Sequence, residues 1–311
     1  MDCRWIIGGV RWPVMEARWQ TDRAGKPAQM KLTIPKEQPR SEIGEPVRME
    51  DGGESRFEGY VFSVEEGPTH REILAYDQKR YLMYRDTILI QGKTADQIVT
   101  MLAGDMGLTL GRVASTGVSM DLAIVDKKLI DIIEQALVIT EEKSGRRFVL
   151  CDQGGKLCLV EEGDLRSGIL LREESALMDY RAGESIDGDT YNVVKLAQKN
   201  RKKGVRTVCV VEDGASAARW GRLQYYGRMD EKMSEGEIRA QAAAILAQKN
   251  RAMHSLTLRS LGDTRCFAGA EIDWELDEQR DAGIIVHAVH HWKGARYTMT
   301  LDVESYRWGE T

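Results

Sequence analysis

Cysteine is scarce in this chain, and its spacing offers no obvious pairing. The five thiols, Cys3, Cys151, Cys158, Cys209 and Cys266, are odd in number and scattered along 311 residues. No C-x-x-C occurs, which argues against a zinc ribbon and against a dithiol redox motif. Reduced thiols acting as small apolar side chains are expected, in a protein made in the cytosol. Long apolar runs are also missing: none approaches the roughly 20 residues that span a bilayer as a helix. The first residues, MDCRWIIGGVRW, hold neither a long apolar core nor a small-residue cleavage site, so no secretory signal is expected there. Positive charge is not in excess. A formal net charge of −5 argues against a general nucleic-acid binder, which is usually basic.

The recurring signatures of catalysis are absent too. There is no G-x-S-x-G elbow, no Gly-rich phosphate loop ending in Lys-Ser/Thr and no H-E-x-x-H helix. Three of the histidines, His287, His290 and His291, stand close together. On a strand, His287 and His291 share a face while His290 points to the other. The two that share a face then lie about 13 Å apart, too far to hold one metal ion directly. Adjacent glutamates recur at Glu65-Glu66, Glu141-Glu142, Glu161-Glu162 and Glu173-Glu174. They mostly flank turns, and none occupies an evident apolar pocket that would raise its pKa for glycosidase-like work. No catalytic, cofactor-binding or metal-ligating residue is assigned, and neither a cofactor nor an enzymatic activity is expected.

What is present begins with Arg56–Leu108. FEGYVFSV (Phe57–Val64) and REILAYD (Arg71–Asp77) are apolar, aromatic and β-branched runs around the Gly67-Pro68 turn, and they predict a hairpin. KRYLMYRD leads away from it. Thr94-Ala-Asp-Gln97 has the form of a capping box. Ile98, Met101, Leu102 and Asp105 follow at helical spacing, and Gly107 is placed to end the helix. Upstream, Trp5, Trp12 and Trp19 lie among Pro13 and paired glycines, which favours strands over a coiled coil. VMEARW and MKLTIP predict a second hairpin across the turn at Gly25.

Further on, Leu129, Ile132, Ile133, Ala136 and Leu137 mark one face of an amphipathic helix starting near Asp126 and ending at Ser144-Gly145. RFVLCD and KLCLVEE flank Gln153-Gly154-Gly155, a tight hairpin turn. YNVVKLAQ and RTVCVVED are strand-like, separated by a basic turn within Lys199–Arg206. That run is a solvated loop, or a docking surface for an acidic partner or a passing polyanion. Ser234-Glu-Gly-Glu237 is a second capping box, ahead of a helix striped by Ile238, Ala242, Ile245 and Leu246. EIDWEL (Glu271–Leu276) and YTMTLDV (Tyr297–Val303) alternate with period two, the mark of a sheet with one dry and one wet face. In EIDWEL, Ile272, Trp274 and Leu276 form the dry face. Glu271, Asp273 and Glu275 form the wet one, an acidic stripe that could line a lumen.

The order of these pieces resembles the XkdQ/YqbQ family, relatives of the late control D proteins, the baseplate hubs of contractile phage tails and R-type bacteriocins. The resemblance rests on F-x-G-x-V, A-Y-D, RYL, the capped helix ending near GL, YNVV, LQYYG, LGD, FAG and HHW, and covers nearly the whole chain after the first forty residues. It implies a β-rich α+β fold of two antiparallel β-barrel-like tube domains with α+β insertions. The expected parts are 1–90 (first β-domain), 91–182 (α+β middle) and 183–311 (second β-domain, with a helical insertion around 230–253).

The implied function is structural. A homotrimer would join the hexameric tail tube protein to the trimeric central spike protein, with tape-measure and baseplate wedge proteins as further partners and no membrane or specific nucleic acid. The protein would be made in the bacterial cytoplasm and assembled into the tail baseplate. A tail-associated cell-wall hydrolase is the alternative; a carbohydrate-binding module, suggested by seven tryptophans, is a third reading.

Overall fold

Alternating burial builds the first part of the molecule. In Glu16–Asp22 the side chains of Ala17, Trp19 and Thr21 are buried, and in Gln29–Pro35 those of Met30, Leu32 and Ile34. The two strands pair antiparallel across the turn that holds Gly25, as the VMEARW and MKLTIP segments predict. The computed structural model describes residues 3–200, 205–229, 231 and 233–306. From Gln29–Pro35 the sheet continues to His70–Tyr76, then Glu54–Glu66, then Pro46–Asp51. The first two of these are the predicted hairpin, with Phe57, Val61 and Ile73 in the core.

The glycine of F-x-G-x-V has a steric reason. A Cβ on Gly59 would lie 2.1 Å from the Tyr76 carbonyl oxygen. Only glycine lets this strand approach its neighbour so closely.

On its other side Glu16–Asp22 pairs with the last part of the chain. The 15-residue strand Gln279–Lys293 sets His290 opposite Trp19. Arg296–Ser305 and Met253–Leu261 extend the sheet outward from there. Glu271–Leu276 pairs antiparallel with Gln279–Lys293 and parallel with Arg166–Arg172. Ile272 and Trp274 are buried as their alternation predicts, while Leu276 is only half-buried. The result, among the described residues, is one thirteen-stranded sheet to which both ends of the chain contribute.

The β-rich character is therefore as expected, but the described sheets are open and none closes into a barrel. The physical reason is the length of Gln279–Lys293. Its first residues pair within the C-terminal β region, and its last seven pair with the N-terminal strand.

Helices and small sheets fill the middle. Helix α1 (Ala95–Asp105) starts at the predicted capping box, where the Gln97 side chain accepts the Thr94 backbone N–H at 3.2 Å. Helix α2 (Leu129–Ser144) begins three residues later than its periodicity suggests. Met120–Lys128 stays extended because it pairs with Arg85–Lys93 down to Lys128 opposite Arg85. Gly145 then ends α2 in the left-handed conformation. Both helices bury Ile98, Leu102, Ile132, Ile133 and Ala136 against Ile90, Leu122 and Ile124 of the two-stranded ribbon and against Leu150, Leu157 and Leu159. The last three belong to a three-stranded sheet of Leu110–Val113, Phe148–Asp152 and Leu157–Glu161.

By compactness the chain forms two units, one of Met1–Arg181 with Leu256–Thr311 and one of Ala182–Ser255. In the second, Val193–Asn200 pairs antiparallel with Val205–Glu212 and parallel with Gln224–Met229. Helix α3 (Gly214–Trp220) precedes the last of these strands, and helix α4 (Glu235–Lys249) follows the Ser234 capping box. Ile238 and Ala242 of α4 cover Val194 and Leu196. The basic run Lys199–Arg206 lies outside the described residues, apart from the strand backbone at its two ends.

Candidate functional site

Three segments singled out in the sequence meet at one cavity of about 300 Å³. Phe57 comes from F-x-G-x-V, Asp77 from A-Y-D, and Phe267 with Ala268 from FAG. Trp19, Thr21 and Asp22 supply the wall from the strand that joins the two ends of the sheet. Cys151, Asp152, Gln153 and Gly154, at and beside the predicted Gly-Gly turn, supply another wall, and Ser55, Arg56 and Lys79 complete most of the lining.

Asp77 is the unusual member. It ends its strand and caps a 3-10 turn, accepting the Lys79 backbone N–H on Oδ1 at 3.1 Å. The residue is only 1% exposed, and its Oδ2 has no hydrogen-bond partner. Burial pushes this carboxyl up to about 7, against the opposing charge of Lys79. Lys79 itself is 4% exposed, and its ammonium makes one long hydrogen bond of 3.5 Å to the Asp22 carbonyl. Asp152 is better satisfied: Gln78 Nε2 donates to it at 2.9 Å and the Gly155 N–H at 2.8 Å. Burial nevertheless raises its pKa. The sequence offered no acid in an evident apolar pocket, and the structure supplies two beside one cavity. They were not legible because the walls come from segments far apart in the chain.

The histidines sit along the seam between the N-terminal and C-terminal strands. His290 is fully buried, stacked on Trp19 with ring centroids 4.9 Å apart. Its Nε2–H donates to the Cys266 carbonyl at 2.8 Å and its Nδ1 accepts from the Tyr297 hydroxyl at 2.8 Å. A carbonyl only accepts, so the tautomer follows. Burial holds His290 down at about 4.

On the opposite face, His287 Nδ1 meets Asp22 Oδ1 at 3.0 Å and His291 Nε2 meets Glu16 Oε1 at 2.7 Å. The hydrogen bond to Asp22 raises His287 above the usual imidazole range. Burial pushes Asp22 up, but the hydrogen bond and charge of His287 outweigh it and hold the carboxyl low. The three histidines thus split by face as their strand spacing predicts.

The paired glutamates scatter. Glu65, Glu66, Glu173 and Glu174 are exposed, and Glu161 pairs with Arg146 at 2.6 Å. Glu162 is the exception. Its side chain is 7% exposed and lies between Arg23 at 2.7 Å and Arg147 at 3.2 Å. Among the described residues no group of three or more His, Cys, Asp or Glu is placed to hold a metal ion, and no helix is long and apolar enough to cross a membrane.

A family model described as YQBQ-like matches residues 17–304. The chain belongs to the YqbQ-like family. Two Bacillus subtilis (strain 168) proteins are similar to this member. Uncharacterized protein YqbQ is 28% identical over 84% of this chain and 81% of its own length. Phage-like element PBSX protein XkdQ is 26% identical over the same shares.

Among solved structures, the tail protein from Neisseria meningitidis MC58 superposes with a TM-score of 0.71 at 14% identity, covering 99% of this chain and 97% of its own. The Escherichia coli c3393 protein is described as a component of the type VI secretion system with structural similarity to the T4 bacteriophage tail proteins gp27 and gp5. It gives a TM-score of 0.58 at 12% identity, covering 97% of this chain and 76% of its own. At these identities the two structures show a shared fold. This YqbQ-like chain thus shares its fold with a protein described as a tail protein, and its sequence relative XkdQ is described as a protein of a phage-like element.

Proposed function

We propose that the protein is the baseplate hub of a phage-type tail particle, a non-enzymatic homotrimer that joins a sixfold tail tube to a threefold spike. The family match over residues 17–304 carries this reading. The fold shared with tail proteins, and with a protein described as similar to gp27 and gp5, supports it. Joining six subunits to three requires each hub chain to offer two tube contacts. The two β-rich ends of this chain are the candidates for those contacts, with the tape-measure and wedge proteins as neighbours.

The outer face of the ribbon formed by Arg85–Lys93 and Met120–Lys128 fits an assembly role. Leu89 is 69% exposed and Val125 74% exposed, while Ile90, Leu122 and Ile124 on the inner face are buried. Two large apolar side chains on one strand pair favour a surface that a partner covers. Locating the chain in an intact particle by electron microscopy tests the reading. A position between tube and spike supports it, and a position in sheath or fibres overturns it.

A further inference from the structure

The cavity at Asp77 has no part in the proposed assembly role, yet its lining is specific. Asp77 and Lys79 both face it, and no ion pair joins them. Oδ2 of Asp77 lacks a donor. The Lys79 ammonium has three N–H groups and makes a single long bond. A group that donates to one and accepts from the other satisfies both, and a hydroxyl does this. Two further donors on residues of the lining, Trp19 Nε1 and Arg56 Nε, are buried without a partner. Trp19, Phe57 and Phe267 add aromatic surface.

Charge narrows the choice of ligand. An anion entering the cavity meets Asp77 and Asp152, and a cation meets Lys79 and Arg56. The thiol of Cys151, pushed up to about 12 by burial, is neutral and favours neither. A volume near 300 Å³ stands at the small end of ligand pockets. We propose that this cavity binds one monosaccharide ring, its hydroxyls bridging Asp77 to Lys79 and its apolar face set against the aromatic wall. Exposed Gln153, with half-exposed Ser55 and Arg56, frames the entrance. The inference stands apart from the hub reading, because it uses no contact with another chain.

The test is saturation-transfer NMR on the full-length protein with glucose, galactose and N-acetylglucosamine in turn, each at about 10 mM. Transfer to the ring protons of at least one sugar is expected, with a Kd on the order of 1 mM for so small a ligand. Asp77→Asn keeps the side chain's shape and the Oδ1 acceptor, and should weaken binding at least tenfold. Gln153→Trp narrows the entrance from an exposed position and should abolish transfer with the fold intact. It decides the matter if the Asp77 variant fails to fold.

Which sugar responds separates an amino-sugar site from a plain hexose site. Absence of transfer from all three sugars overturns the proposal, as does transfer undiminished in the folded variants. A response to butylamine or acetate in place of every sugar overturns it as well, since it would mean an ion site.

Discussion

His290 shows how much a single side chain can depend on its neighbours. It is held neutral by burial between Trp19 and Trp292, with both ring nitrogens satisfied. Its folded pKa, at about 4, lies below the ordinary 6.5. The unfolded chain therefore binds the proton first. The associated stability is present above pH ~6.5 and is lost as pH falls toward 4, by roughly 3 kcal/mol in all. Urea titrations across that range should show this acid limb in the wild type and its reduction in His290→Gln.

His287 has the opposite sign, because its folded pKa is raised. Its contribution is present at and below 6.5 and lost as pH rises through the higher folded value. The part owed to Asp22 is lost only as pH falls below the ordinary 3.8. A stability–pH curve for His287→Gln should therefore differ from wild type between these limits and rejoin it at alkaline pH.

Trp274 supports a simpler expectation: it is 3% exposed and packed with Leu171, Leu256 and Ile272. Trp274→Ala should cost about 3–5 kcal/mol, read as a shift in the urea midpoint. This burial was legible in EIDWEL, since alternation alone separates Ile272 and Trp274 from Asp273 and Glu275. The isolation of Asp77 was not, because nothing local to A-Y-D says that Trp19, Phe57 and Phe267 will enclose it.

Local chemistry set the elements reliably wherever a cap or turn specified them. Both capping boxes start helices, and the Gly25 and Gly154-Gly155 turns close hairpins. Helix α2 starts later than its periodicity suggests because Lys127 and Lys128 pair with Asp86 and Arg85, about forty residues upstream, after a register shift at Val125 and Asp126. The seam between Glu16–Asp22 and His287–Lys293 was likewise invisible. No pattern within either strand names a partner more than 250 residues away, and strand pairing at such distance follows from the tertiary structure.

At this scale Gly59 offers the sharpest test. An alanine there must displace the Tyr76 carbonyl, so Gly59→Ala should lower stability by about 2–4 kcal/mol and disturb the hairpin. Unchanged thermal unfolding would mean that the two strands do not approach as described.

Under the proposed assembly role, the exposed Leu89 and Val125 of the ribbon are a contact for another chain. Leu89→Asp together with Val125→Asp should leave the isolated chain's stability within about 0.5 kcal/mol of wild type, as is usual for exposed positions. The same pair should block incorporation into particles, measured by the amount of the chain that sediments with assembled tails. Loss of folding instead would place these residues in the chain's own core.

The hub role itself is decided by copy number and position. Electron microscopy of the intact particle, reconstructed without imposed symmetry, should show three copies of the chain between the last tube ring and the spike. Six copies, or density for the chain in the sheath or fibres, would contradict it.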